Sequence, residues 1–199
     1  MTPIDDSQIQ QIVQRVLKQV MGIAEPVASP EATPVVKKED QTPVSMPGAR
    51  KVIAIGADHG GFELKETLKS ELSGMGLDVN DVGTFSKAAV DYPDYAHEVA
   101  KLVSLGKAWR GIMIDGAGIG SCIVANKVPG VRAGMAYDYS SAVNGREHND
   151  TNVLTLGAGL IGVNLAKQIV KTWISTEFGG DRHARRVEKI SKVEKMYFK

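Results

Sequence analysis

The sequence predicts an α/β protein, a parallel sheet of about five strands covered on both faces by helices, with a short amphipathic helix tethered in front of it. Three observations carry that expectation. From Lys51 onward, short Val/Ile-rich runs alternate with segments whose apolar residues recur at helical spacing. Before Lys51 the composition differs abruptly, with five of the eight prolines between Ala24 and Arg50. Glycine reaches 21 residues and clusters where strands would hand over to helices.

The first element is a helix ending near Gly22. Asp5, Asp6 and Ser7 offer N-cap oxygens and Gly22 a stop. Ile9, Ile12, Val13, Val16, Leu17, Val20 and Met21 form an unbroken apolar stripe, and Gln8, Gln11, Gln14, Arg15, Lys18 and Gln19 the opposite face. Such a helix is about four turns long and marginal alone in water. It either docks on its own protein or lays its stripe in a partner's groove, and the long tether favours the partner. The tether is Pro26, Pro30, Pro34, Pro43 and Pro47 with Ser, Thr, Lys and Glu between them, which holds neither a helix nor a central strand. The expected organisation is therefore a helix at 1–22, a linker at 23–50 and one domain at 51–199.

Within the domain, Lys51–Gly56 reads as the first strand and Gly61–Met75 as a helix with Phe62, Leu64, Leu68, Leu72 and Met75 on its apolar side. Asp78–Val82 is a short strand, Pro93 starts a helix running to about Leu105, and Gly111–Asp115 is the third strand. Ile119–Lys127 is helical, Val131–Tyr137 a fourth strand, and Ser140–Glu147 a short helix. Asn152–Leu156 is the fifth strand, followed by helices near Gly162–Thr176 and Arg182–Met196. No internal repeat has a solenoid period.

Composition narrows the function. With 24 Lys+Arg against 23 Asp+Glu, the net charge of +1 lacks the basic excess of a nucleic-acid-binding surface. Cys122 is the one cysteine, which excludes a disulfide framework and a multi-Cys zinc site and fits a reducing cytoplasm. No apolar run approaches the roughly 20 residues of a membrane helix, and Asp5 and Asp6 stand where a signal peptide carries positive charge. The expectation is a soluble cytoplasmic protein that binds neither nucleic acid nor membrane.

Ligands of open α/β sheets bind beyond the carboxyl ends of the strands. Asp58 and His59 follow the first strand, Asp115 ends the third, and His148, Asn149 and Asp150 precede the fifth, so one site gathering them at that edge is expected. Turn and capping roles are the alternative for each group. After Asp115, Gly116-Ala117-Gly118-Ile119-Gly120-Ser121 opens a helix whose free N–H groups suit a phosphate, a carboxylate or a developing oxyanion. Gly157-Ala158-Gly159-Leu160-Ile161-Gly162 spells a dinucleotide fingerprint, but no second strand follows to carry a ribose-binding acid, so no nicotinamide cofactor is expected. Arg182, His183, Arg185 and Arg186 form a basic cluster in which Arg182 and Arg186 share a helix face, a geometry that can fork a phosphate.

These motifs together resemble the ribose-5-phosphate isomerase B family, which includes the galactose-6-phosphate isomerase subunits. The resemblance spans roughly residues 51–199. It rests on Gly56-Ala57-Asp58-His59-Gly60-Gly61-Phe62, Asp91-Tyr92-Pro93-Asp94, the Gly116–Gly120 loop with Ala125-Asn126-Lys127, Arg146 through Asn152, and Gly180-Asp181-Arg182-His183. It implies a Rossmann-like α/β/α sandwich forming homodimers, or a tetramer, with active sites shared between subunits and no metal or organic cofactor. It implies aldose–ketose isomerisation of a sugar phosphate, ribose 5-phosphate first, through a cis-enediolate. His148 would open the ring, with Asp58 near the ring oxygens. Asn149 and the N–H groups of Gly116, Gly118 and Gly120 would hold the oxyanion, and His59, Arg182 and Arg186 the phosphate.

The sequence departs from that pattern in three places. The base is a cysteine in one branch, where this chain has Asp115, and a glutamate in another, where it has Ser121. Asp115 is thus the expected base, with Ser121 in the ligand-binding loop. Ala117 replaces a hydroxyl residue, and Gly159 an arginine that helps grip the phosphate. A second function class follows from these losses: a non-catalytic sugar-phosphate-binding or scaffold subunit. Asp58, His59, His148 and Asn149 favour the enzyme, and an isomerase of another sugar is a third reading. Separately, the helix at 1–22 with its linker is similar to the encapsulation peptides that route enzymes into bacterial microcompartments, which implies a shell or scaffold protein as partner.

Overall fold

The structure, a computed structural model, describes residues 50–198. The helix expected at 1–22 and the linker up to residue 49 lie outside the described residues. In chain order the domain runs β1 (Val52–Ala57), α1 (Phe62–Gly74), β2 (Asp78–Asp81), α2 (Tyr92–Ser104), β3 (Arg110–Asp115), α3 (Ile119–Ala125), β4 (Ala133–Met135), α4 (Tyr139–Asn149), β5 (Val153–Gly157), α5 (Val163–Ser175) and α6 (Asp181–Tyr197). The strands form one sheet in the order β2-β1-β3-β5-β4, with every pairing parallel.

Strand periodicity sorts the core into two layers. Ile53, Ile55, Ile112, Ile114, Leu154 and Leu156 point to the face covered by α1, α4 and α5. Ala54, Met113 and Val153 point to the other face, against Val99 and Val103 of α2 and Ala125 of α3. A one-residue slip in β3 would exchange these sets and drive Ile112 and Ile114 into the space that Met113 fills against Val99 and Val103, an overpacking cost of roughly 1–3 kcal/mol. That penalty fixes the register, and with it the loops leaving β1 and β3.

One boundary matters for the site. The helix expected at Ser140–Glu147 runs from Tyr139 to Asn149. Its start is a capping box: the Asp138 carboxylate accepts from the Ser141 N–H at 2.6 Å and the Ser141 hydroxyl from the Asp138 N–H at 3.2 Å. Its end is Asp150, in the left-handed region at φ 46°, whose carboxylate joins Arg146 and Arg132 at 2.7 Å each. His148 and Asn149 therefore sit on the last turn of a helix rather than in a loop.

Candidate active site

Strand order reverses at β1, which pairs with β2 on one side and β3 on the other. The crevice beyond the carboxyl ends of β1 and β3 is the place where such sheets bind ligands. Asp58 leaves β1 there, its N–H bonded to the Ile114 carbonyl at 3.1 Å and its Oδ1 accepting the Gly61 N–H at 2.9 Å. Asp58 is buried, and its second carboxylate oxygen has no partner among the described residues. The turn lies flat on β3: a Cβ at Gly61 would stand 2.4 Å from the Ile114 carbonyl oxygen. His59 next to it is exposed, with Nδ1 against the Val90 backbone at 3.2–3.3 Å.

Asp115 ends β3 beside this turn and is almost wholly buried. Its carboxylate is wired into the loop that follows it. Oδ1 accepts from the N–H groups of Ala117, at 2.8 Å, and Gly118, while Oδ2 accepts from the Ser121 N–H at 3.2 Å and from the Ser121 hydroxyl. The chain can curl this tightly because Gly118 adopts φ +80°, where a Cβ would stand 3.0 Å from the Leu156 carbonyl carbon. Ser121, expected to face the ligand, is instead fully buried and spends its hydroxyl on Asp115. Gly118, expected to offer its N–H to an oxyanion, gives it to the same carboxylate. Gly116 and Gly120 keep N–H groups with no acceptor among the described residues, and Tyr92 lies over Gly120. Cys122 is held aside, its thiol against the Ala133 carbonyl at 3.5 Å, and burial pushes that thiol up, away from the reactive thiolate.

The literal fingerprint at residues 157–162 has a structural task. The Ala158 N–H bonds the Asp115 carbonyl at 2.8 Å and the Gly159 N–H bonds the Gly116 carbonyl at 3.0 Å, so this turn buttresses the Asp115 loop. Among the described residues, no three His, Cys, Asp or Glu side chains converge as ligands for one metal ion.

His148 and Asn149 lie elsewhere. They end α4, which feeds the amino end of β5, whereas Asp115 pairs with Gly157 at its carboxyl end. Five strand residues at roughly 3.3 Å each put about 15 Å between the two groups. The expectation that all these side chains gather at one edge is thereby corrected: parallel strands carry a residue that precedes a strand to the opposite edge from one that follows it. What collects with His148 is the start of α6, with Arg182 and Arg186 exposed one turn apart and His183 stacked on the His148 ring.

A side-chain network fixes His148. The Asn149 amide donates to Asn144 Oδ1 at 3.0 Å, so the Asn144 amide nitrogen faces His148 Nδ1, at 2.8 Å. Nδ1 then accepts, and in the neutral ring the hydrogen sits on Nε2. Asn144 and His183 are the residues that sequence reading missed as partners of His148. The i, i+4 spacing of Asn144 and His148 was the available signal for the first. Next to Asn149 and Asn144, between β4, α4 and the end of α6, opens a groove of about 920 Å³.

The comparisons with known proteins agree with this architecture. The family model described as Ribose/Galactose Isomerase matches residues 53–190. Ribose-5-phosphate isomerase B of Escherichia coli is 45% identical over 72% of this chain and 97% of its own length. The D-erythrulose-4-phosphate isomerase of Pectobacterium atrosepticum is 44% identical over 71% of this chain and 94% of its own. Among solved structures, ribose-5-phosphate isomerase B of Clostridium thermocellum superposes with a TM-score of 0.72 at 48% identity, covering 73% of this chain and 99% of that one. That of Mycoplasma genitalium, with bound ribulose 5-phosphate, gives 0.70 at 36% identity over 72% and 96%. With fold, motifs and full-length relatives in accord, the chain belongs to the ribose/galactose isomerase family.

Proposed function

We propose that the protein interconverts an aldose phosphate and its ketose through a cis-enediolate, with ribose 5-phosphate and ribulose 5-phosphate as the first pair. The observation that carries this reading is the Asp115 carboxylate seated on a glycine loop beside Asp58, in a chain 45% identical to a ribose-5-phosphate isomerase B. In its protonated form His148 gives the Nε2 proton to the ring oxygen while Asp58, near the ring oxygens, takes the proton of the O1 hydroxyl, and the sugar opens. Asp115 takes the proton from C2 and electrons move onto O1; the O2 proton then passes to O1 as the carbonyl forms at C2, and Asp115 returns its proton to C1. The loop carries one negative charge throughout. It lies on the carboxylate before proton transfer and on the enediolate oxygen afterwards, when the neutral acid competes less for the Ala117 and Gly118 N–H groups. Gly116, Gly120 and Asn149 add donors to that oxygen, and His59, Arg182 and Arg186 hold the phosphate.

His148 and Asp115 stand at opposite ends of one chain, which supports a homodimer in which each site takes the Asp115 edge from one subunit and the His148 end from the other. The experiment is turnover across tetrose, pentose and hexose phosphates with dephosphorylated controls. Conversion of ribose 5-phosphate is expected, and no conversion of any phosphate would leave a binding subunit. D-Erythrulose 4-phosphate is the second substrate to test, because the relative named for it is as similar, at 44% identity, as the ribose-5-phosphate isomerase at 45%.

Residues 1–22 are, on this proposal, an address tag for a microcompartment shell or scaffold protein, and the enzyme is cytoplasmic and housed in that compartment. The support is the apolar stripe Ile9 through Met21 and the Pro-rich spacer. Deleting residues 1–50 should leave turnover unchanged, and fusing residues 1–22 to an unrelated protein should carry it to the shell. A deletion that unfolds the enzyme would make the segment structural instead.

A further inference from the structure

We propose that His183 is a positioning residue for His148, holding that imidazole flat against its own ring and leaving proton exchange in the pair to His148. The inference rests on the reading of His148 as the ring-opening acid.

The two rings are stacked with centroids 4.1 Å apart and planes 7° apart. Backbone holds them there: the Gly179 N–H bonds the Glu147 carbonyl at 2.9 Å, tying the turn before α6 to the last turn of α4, and the His183 N–H bonds the Gly180 carbonyl at 2.8 Å. An imidazole at the end of a helix otherwise turns about two side-chain bonds, and a catalytic acid that wanders loses the near-attack geometry that makes it effective. Asn144 fixes one edge of His148 and the His183 ring fixes one face.

The protonation of the pair is asymmetric for physical reasons. His183 is 7% exposed. The Arg182 Nε–H donates to His183 Nε2 at 3.3 Å, so that nitrogen offers a lone pair and the ring hydrogen sits on Nδ1, which is buried without a partner among the described residues. The groups facing His183 are Glu147 and His148 from α4 and Arg182 and Arg186 from α6. Burial first, then His148, Arg182 and Arg186, hold His183 below the ordinary histidine value, with Glu147 opposing. Two stacked imidazolium ions would also repel at this spacing. A neutral His183 therefore leaves His148, whose side chain is 37% exposed with Nε2 toward Glu147 at 3.7 Å, to exchange protons with substrate.

The rival role for a histidine beside Arg182 and Arg186 is a phosphate contact, and steady-state kinetics of the full chain separate the two. His183→Leu should lower kcat on ribose 5-phosphate about 10-fold while KM moves less than about twofold, and His183→Phe, which keeps a flat ring, should recover to within about threefold of wild type. A loss residing in KM, or a Leu variant with unchanged kcat, overturns the proposal. Should the Leu variant not fold, ¹⁵N NMR of the four histidines in the wild-type chain decides. Expected there are a His183 that takes up its proton at lower pH than an ordinary histidine and a His148 with Nδ1 unprotonated in its neutral form; a His183 that titrates like a free imidazole contradicts it. His148→Ala, run alongside, isolates the premise. If it leaves kcat unchanged the ring-opening reading fails, whereas a deficient His148→Ala beside a normal His183→Leu defeats the positioning role alone.

Discussion

At the carboxyl edge of the sheet, backbone builds the site: three N–H groups converge on Asp115, and the Asp58 turn lies so close on β3 that a Cβ at Gly61 would stand 2.4 Å from the Ile114 carbonyl oxygen. At the α4–α6 end, side chains build it, through the Asn149–Asn144–His148 amide chain and the His148–His183 stack. The first half inherits its precision from strand register, which the core enforces. The second depends on a few side chains, all but His183 exposed or half-exposed, and is correspondingly easier to tune and easier to lose. On the proposed mechanism, the base that must meet a carbon–hydrogen bond sits in the stiff half, and the ring-opening acid with Arg182 and Arg186 in the adjustable one.

Substitutions can break that contrast. The largest effect is expected from Asp115→Asn, which keeps the volume, removes the basicity, and should lower kcat by at least about 10²-fold. Near-normal turnover in that variant would remove Asp115 as the base. Gly61→Ala comes next. Its methyl group meets a backbone oxygen that cannot step aside, so calorimetry should show a loss of about 1–3 kcal/mol, together with impaired turnover as Asp58 shifts. An unperturbed melting temperature would show the Asp58 turn to be softer than its packing indicates.

The smallest effect is a pH dependence of stability at the side-chain half. His183 is held below its ordinary value of 6.5, so the unfolded chain takes up its proton first as pH falls. Its contribution is complete above about pH 6.5 and is lost as pH drops through the lower folded value. His183→Phe should therefore flatten the decline of the melting temperature on the acid side of that point, and an unchanged acid slope would contradict the assignment.

Most of the fold was legible because period and composition speak directly about it. Val52–Ala57 and Arg110–Asp115 are runs that only a strand buried on both sides explains, and the helices appear where apolar spacing places them. The Asp58 and Asp115 loops were legible for the same reason, since a residue just past a parallel strand has one place to go. The placement of His148 was not: spacing along the chain did not show that α4 continues to Asn149, because Asp150 closes it in a left-handed conformation held by Arg146, one turn back in α4, and by Arg132 from ahead of β4. Nor was the burial of Ser121 beneath Asp115, which depends on how Gly118 turns the chain.

The central claim is that a complete site needs the Asp115 edge of one subunit and the His148 end of another. Complementation tests it most directly: Asp115→Asn and His148→Asn proteins, each deficient alone, are dissociated, mixed in equal amounts and reassociated. Random pairing makes half the dimers mixed, each with one site free of both substitutions, so turnover should recover to about a quarter of wild type. Activity that stays at the level of the separate variants, with mixed dimers shown to have formed, would contradict the account and place the whole site within a single chain.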